Sequence, residues 1–238
     1  MVPDEKQRKF SLRDLPVRAH CLPMNSPEYT VPQYEAVGAT FERPGIRIGR
    51  LEEQVRALKA YFSGEELDIR SPNVTMSRYR GLPSVIQKPH PPILIGGGGR
   101  RILGLAGLLA DIVSVNVNNR SGIVGRDAVR SSDAETLPTQ ISWVEHGAGD
   151  RFGDLELELG LFDVAITNEP KRHWDRILQT YGLTLQEART NPHILVGSVD
   201  TAVEQLRECR ERYGFSYFTV FAWSAKAFAP VVAQLAGT

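Results

Sequence analysis

The amino-acid sequence predicts an α/β fold, a parallel sheet or barrel built from βα units. Three observations carry this. Strand-like apolar runs alternate with stretches of helical period along most of the chain. Near its middle, Pro91-Pro92-Ile93-Leu94-Ile95-Gly96-Gly97-Gly98-Gly99-Arg100-Arg101 reads as strand, glycine turn and helix start. The length of 238 residues approaches the ~250 of an eight-unit barrel. Only four strands stand out, however: 93–95, 112–116, 155–167 and 216–221. Either segments 10–33 and 65–80 hold further strands, or the barrel is incomplete.

From the N-terminus, Leu15 to Leu22 reads as one strand, and Pro23, Pro27 and Pro32 make the next stretch a loop or arm. A helix is expected over 46–62, with Leu51, Val55, Leu58 and Phe62 on one stripe and Glu52–Arg56 as an i, i+4 pair, ended by Ser63-Gly64. Residues 67–79 read as an extended hairpin. The helix after the glycine turn carries Ile102, Leu103, Leu105, Ala106 and Leu109. Asp111 to Asn116 is nearly continuous in apolar character, as a strand covered on both faces should be. A polar loop over 117–132 precedes a helix over 135–148. One long strand is expected over 154–167, then helices over 171–181 and 184–190, the second opened by a Thr184/Glu187 capping box. His193 to Ser198 is an apolar segment, and Ser198 caps a helix with Val199, Val203, Leu206 and Cys209 on its buried stripe. Gly214 ends it, Phe215 to Phe221 is strand-prone, and Ser224 is expected to cap a last helix.

Composition narrows the function. With 28 basic and 28 acidic residues the formal charge is zero, which argues against a nucleic-acid or anionic-membrane partner. Cys21 and Cys209 make neither a disulfide framework nor a metal spacing, so a reduced, intracellular, cytoplasmic protein is expected. No apolar run reaches the ~18 residues of a membrane span, and residues 1–14 lack an apolar signal core.

The glycine turn is the strongest chemical signal. Without Cβ atoms the backbone can approach a ligand closely, and the helix start offers unpaired N–H groups and a positive dipole end to a phosphate. Gly96, Gly97, Gly98 and Gly99, with the Arg100 guanidinium, are the candidate cofactor-binding residues. The spacing is neither a G-x-G-x-x-G fingerprint nor a Walker A loop. The plainer reading is a tight turn packed against a neighbour. Asn116 and Asn118 come after the next strand, where they could bond a cofactor ring or ribityl chain. Of five histidines, His90 is expected at the barrel bottom, and His146 and His173 on exposed helix faces. His20, beside Cys21 on the first strand, is the candidate proton donor. Glu156 and Glu158 alternate with leucines and read as the wet face of a strand. Trp223, after the last strand, lines a mouth or packs a helix. No metal-ligand spacing stands out.

Gly45-Ile46-Arg47-Ile48-Gly49-Arg50-Leu51-Glu52-Glu53, the glycine-turn stretch, Ala110-Asp111-Ile112-Val113, Val196-Gly197-Ser198-Val199-Asp200 and Arg212 to Tyr217 together resemble the luciferase-like monooxygenase superfamily. Within it, they resemble the deazaflavin-dependent oxidoreductase branch. The resemblance runs from about Tyr34 to the C-terminus. It implies a TIM-barrel fold with FMN or the deazaflavin coenzyme F420 at the C-terminal mouth, its phosphate on Gly96 to Gly99, and a small organic substrate. Family members open with three βα units before the Glu-Glu helix, and this chain has 33 unlike residues there. The expected layout is therefore an atypical arm over 1–33 and a partial, N-terminally truncated barrel over 34–238. Exposed strand edges would need cover, for which a homodimer is the simplest device. Two functions stay open: an oxidoreductase using FMN or F420, and a non-redox enzyme or binding protein that has lost the flavin. A degenerate product without activity is the third reading.

Overall fold

The computed structural model describes residues 19–20, 31–36, 38, 40–81, 85–123 and 125–236. Most of the expected arm over 1–33 lies outside them.

β1 (Ala19–His20) and α1 (Val31–Ala36) precede α2 (Pro44–Ser63). Proline at the first helical position pre-sets φ for α2, and Gly64 at φ 80° closes it in a left-handed cap. β2 (Glu66–Arg70) and β3 (Thr75–Arg80) form the expected hairpin, antiparallel and largely exposed. Then come β4 (Ile93–Gly97), α3 (Arg100–Leu109), β5 (Ile112–Val115), α4 (Arg126–Arg130) and α5 (Leu137–Ala148). β6 (Glu156–Leu161), β7 (Asp163–Ile166), α6 (Lys171–Tyr181), α7 (Leu185–Thr190), β8 (Ile194–Gly197), α8 (Val199–Tyr213), β9 (Phe215–Val220) and α9 (Ala222–Leu235) complete the chain.

The main sheet is parallel, in the order β1-β4-β5-β6-β9. A second parallel pair joins β7 to β8. The architecture is thus α/β with parallel strands, and among the described residues the sheet does not close into a barrel. The single strand expected over 154–167 is two strands divided at Phe162: the first half pairs with β5 and β9, the second with β8. The loop expected over 117–132 contains the short α4. Ser224 does not cap α9; it sits in the first turn, and its N–H donates to Phe221 O at 2.9 Å.

One core, with Ile93, Ile95, Leu103, Val113, Val115, Leu157 and Leu159, packs the helix-facing side of the sheet against α3, α5 and α8. α3 and α5 meet backbone to backbone: a Cβ at Gly107 would strike Val144 O, and one at Gly147 would strike Gly104 O. Arg151 closes the far end of α3, donating to Gly107 O at 2.6 Å and to Ala110 O at 2.7 Å. A smaller cluster around Ile177, Leu183, Ala188 and Ile194 holds α6 and α7 to β8. The expected capping box at Thr184 and Glu187 is present.

Candidate functional site

Parallel strands deliver their C-terminal ends to one side, and β4 delivers the glycine turn there. Gly99, at φ −104° and ψ 155°, is the N-cap of α3 and supplies no side-chain cap. The first ladder bond of the helix runs from Leu103 N–H to Gly99 O at 3.0 Å. Among the described residues, the N–H groups of Gly99, Arg100 and Arg101 therefore lack an acceptor, at the positive end of the helix dipole. Arg100 and Arg101 are exposed beside them.

The four glycines do different jobs. At Gly97 a Cβ would run into the Ile102 side chain, and at Gly98 into the backbone of 116–118. These two are needed for the turn to pack against α3 and against the loop after β5. At Gly99 an added Cβ would make ordinary contact with the Asn118 carboxamide, 3.6 Å away at nearest. Gly96 is buried in β4, paired with Ser114.

Asn116 is built into the frame behind the turn. Its N–H donates to Gly97 O at 2.9 Å and its Nδ2 to Ser114 Oγ at 2.7 Å. Asn118 is exposed, its N–H donating to Ser131 Oγ at 2.6 Å. His20 lies in β1, in register with Leu94 of β4, so its backbone runs beside the glycine-turn strand.

The other candidates stand elsewhere. His90 is half-buried at the start of β4, with Nδ1 3.7 Å from Asp111. His146 is exposed as expected, whereas His173 is half-buried. Trp223 is 77% exposed and stacks on Phe221 at 4.3 Å.

Glu158 corrects the sequence reading. It is 2% exposed, not on a wet face, and it accepts a hydrogen bond from Thr219 Oγ1. β6 lies between β5 and β9, so both of its edges are paired. Ser114, Asn116, Glu158 and Thr219 gather on one face of the sheet, where Asn116 bonds Ser114 and Thr219 bonds Glu158.

Several functional candidates were not singled out from sequence. Asn119 is 1% exposed, and among the described residues neither its Oδ1 nor its Nδ2 has a partner. Gln140 and Ser132 are buried behind the turn, and His193 is fully buried, its pKa pushed down to about 4 by burial against a smaller upward pull from Gly160 O. The Asn116–Asn119 run was a signal for the first of these. Nothing in the spacing joins 132, 140 and 193. A cavity of about 480 Å³ opens at the C-terminal ends of β7 and β8, lined by Thr167, Asn168, Trp174, Arg189, Ser198 and Thr201.

No family model matches the chain. Over 103 residues it is 28% identical to an FMNH2-dependent dimethylsulfone monooxygenase of Pseudomonas putida, covering 43% of this chain and 28% of that protein. An F420-dependent secondary alcohol dehydrogenase, solved with an F420–acetone adduct, superposes with a TM-score of 0.58 at 10% identity, over 78% of this chain and 59% of that one. A monooxygenase from Streptomyces bottropensis gives 0.57 at 14% identity, over 80% and 58%. The chain thus spans under two thirds of the length of each.

Proposed function

We propose that this chain, which shares its fold with the luciferase-like monooxygenases, is an oxidoreductase that holds the phosphate of FMN or coenzyme F420 at the start of α3. One observation carries the reading: the N–H groups of Gly99, Arg100 and Arg101, without an acceptor among the described residues, at the helix end that favours an anion. The Arg100 guanidinium supplies a forked donor to the same phosphate. The buried carboxamide of Asn119, unpartnered among the described residues, fits the polar rim of a flavin or its ribityl chain. A bound flavin or deazaflavin supplies the hydride chemistry itself. The chain's own residues bind and orient. Gly97 and Gly98 let the turn lie against the 116–118 backbone, which fixes where the N–H groups point. His20 is the proposed proton donor, and a small organic substrate is proposed for the cavity at the ends of β7 and β8. Replacing His20 by Ala is expected to lower turnover while leaving cofactor affinity within about twofold.

Titration of the purified protein with FMN and with F420, followed by absorbance and fluorescence, tests the reading. One of them is expected to bind at micromolar concentration or tighter. Gly99→Asp sharpens the test. The site tolerates a Cβ, and an aspartate N-cap is better than glycine by a few tenths of a kcal/mol while occupying and repelling the anion position. Stability equal to or slightly above that of the native protein, with cofactor binding lost, is the expected result. Undiminished binding by Gly99→Asp would overturn the phosphate assignment.

A second reading, a non-redox enzyme or binding protein on this scaffold, is favoured by one fact. The space above Gly97 and Gly98 is taken by Ile102 and by the chain at 116–118, so packing alone accounts for those two glycines. Failure of both cofactors to bind would leave this reading standing.

A further inference from the structure

Behind the glycine turn runs a buried chain of polar contacts. Gln140 on α5, 1% exposed, gives away both Nε2 hydrogens, to Gly98 O at 2.9 Å and Asn116 O at 3.0 Å. Carbonyls only accept, so the carboxamide has one orientation, with Oε1 turned to Ser132 Oγ at 2.8 Å. Ser132 Oγ is also 2.8 Å from His193 Nε2, and His193 Nδ1 is 2.7 Å from Gly160 O. Ser132 and His193 have no exposed surface. The imidazole lies flat on Phe162, 3° from parallel, with ring centres 4.5 Å apart.

Counting hydrogens along this chain gives a shortfall. Gly160 O requires a hydrogen on Nδ1. Neutral His193 then has a bare Nε2, which requires the Ser132 hydrogen. Gln140 Oε1 requires the same hydrogen. A hydroxyl has one. Moving the ring hydrogen to Nε2 only transfers the fault to Gly160. In each neutral arrangement one contact sets two acceptors against each other. One added proton removes the conflict: Nδ1–H to Gly160 O, Nε2–H to Ser132 Oγ, Ser132 O–H to Gln140 Oε1, and both Nε2 hydrogens of Gln140 to Gly98 and Asn116.

We propose that His193 is a proton-operated positioning residue: its imidazolium form completes the chain through Ser132 and Gln140 that fixes Gly98, and its neutral form loosens that hold on the glycine turn. The ionisable groups on the surrounding elements are committed elsewhere. Asp133 accepts from the N–H groups of Glu135 and Thr136, Asp163 pairs with Arg176, and Glu187 pairs with Arg126 and Arg130. Glu158 takes the Thr219 hydroxyl, and the Tyr213 hydroxyl donates to Ala134 O. His193 is left to burial and the Gly160 carbonyl, which oppose each other.

The test is a pH titration by NMR of the free protein, with the His193 ring signal assigned by its loss in His193→Gln. The Gly98 and Gly99 amide signals are expected to move with the midpoint of the His193 ring. In Ser132→Ala the His193 midpoint should fall by about one unit, a tenfold loss of proton affinity, and the glycine amides should stop following it. Glycine amides that stay still while His193 titrates, or that follow it equally in Ser132→Ala, would overturn the proposal. A second measurement serves if Ser132→Ala does not fold, and it rests on the anion site proposed above. Sulfate remains a dianion across the range, so its affinity at about pH 4.5 and 7.5 reports the protein alone. Binding several-fold tighter at the lower pH, with the difference gone in His193→Gln, is expected. Sulfate binding that ignores pH sinks the proton switch and leaves the anion site. No sulfate binding, beside glycine amides that still follow His193, sinks the anion site and leaves the switch.

Discussion

Taking an imidazole out of water disfavours its charged form, and His193 has no exposed surface. Its pKa falls from 6.5 to about 4 on folding. The folded protein therefore binds fewer protons than the unfolded chain between those values. The stabilisation is present above about pH 6.5 and is lost as pH falls toward 4, amounting to about 3 kcal/mol at the acid end. Urea denaturation at stepped pH should show that decline in the native protein and a flatter one in His193→Gln. Cys209 obeys the same physics with the opposite sign. At 4% exposure its thiol is pushed up to about 12, so it stays protonated at neutral pH. It is expected to react with maleimide only as the protein unfolds. At this scale the sequence was legible where a residue acts through its neighbours in the chain, as Thr184 does with Glu187 and Ser198 with Thr201. It was misleading at Glu158, because alternation with leucine puts the glutamate on the opposite face of the sheet but cannot reveal that this face is buried as well. It was silent on His193, whose partners Ser132 and Gly160 lie 61 and 33 residues away.

Among the elements, the contact between α3 and α5 is set by residues that a helix would normally avoid. Glycine inside a helix costs about 1 kcal/mol relative to alanine, and Gly104, Gly107 and Gly147 all lie within these two helices. The cost is offset by close approach, with backbone atoms of one helix against the other. That unfavourable placement is the sequence signal from which the crossing could have been inferred. Gly147→Ala should force the pair apart and lower stability by about 1–3 kcal/mol, measured by thermal denaturation. Because α5 also carries Gln140, the same variant should weaken the proposed cofactor binding without touching the glycine turn. The glycine turn itself was legible as a motif, since strand, glycines and helix start are contiguous. What was not legible was the division of labour, with Gly97 and Gly98 serving packing and Gly99 standing at the open helix end.

For the molecule as a whole, alternation of strands and helices was enough to give a parallel α/β fold, because each βα unit repeats the same local pattern. Closure depends on pairings between distant strands, and no periodicity reports those. The described sheet ends at β9, which pairs only with β6 there. An uncovered parallel edge invites another strand, and a homodimer is the proposed cover; sedimentation at rising concentration should show a monomer–dimer equilibrium. Phe162 carries a further consequence. Only that residue separates β6 from β7, so a single stretch of chain is woven into two sheets at once. Pulling either sheet apart strains the other through this shared thread, which welds them into one melting unit. Heat should dissolve helix content and tryptophan environment together, in one calorimetric peak.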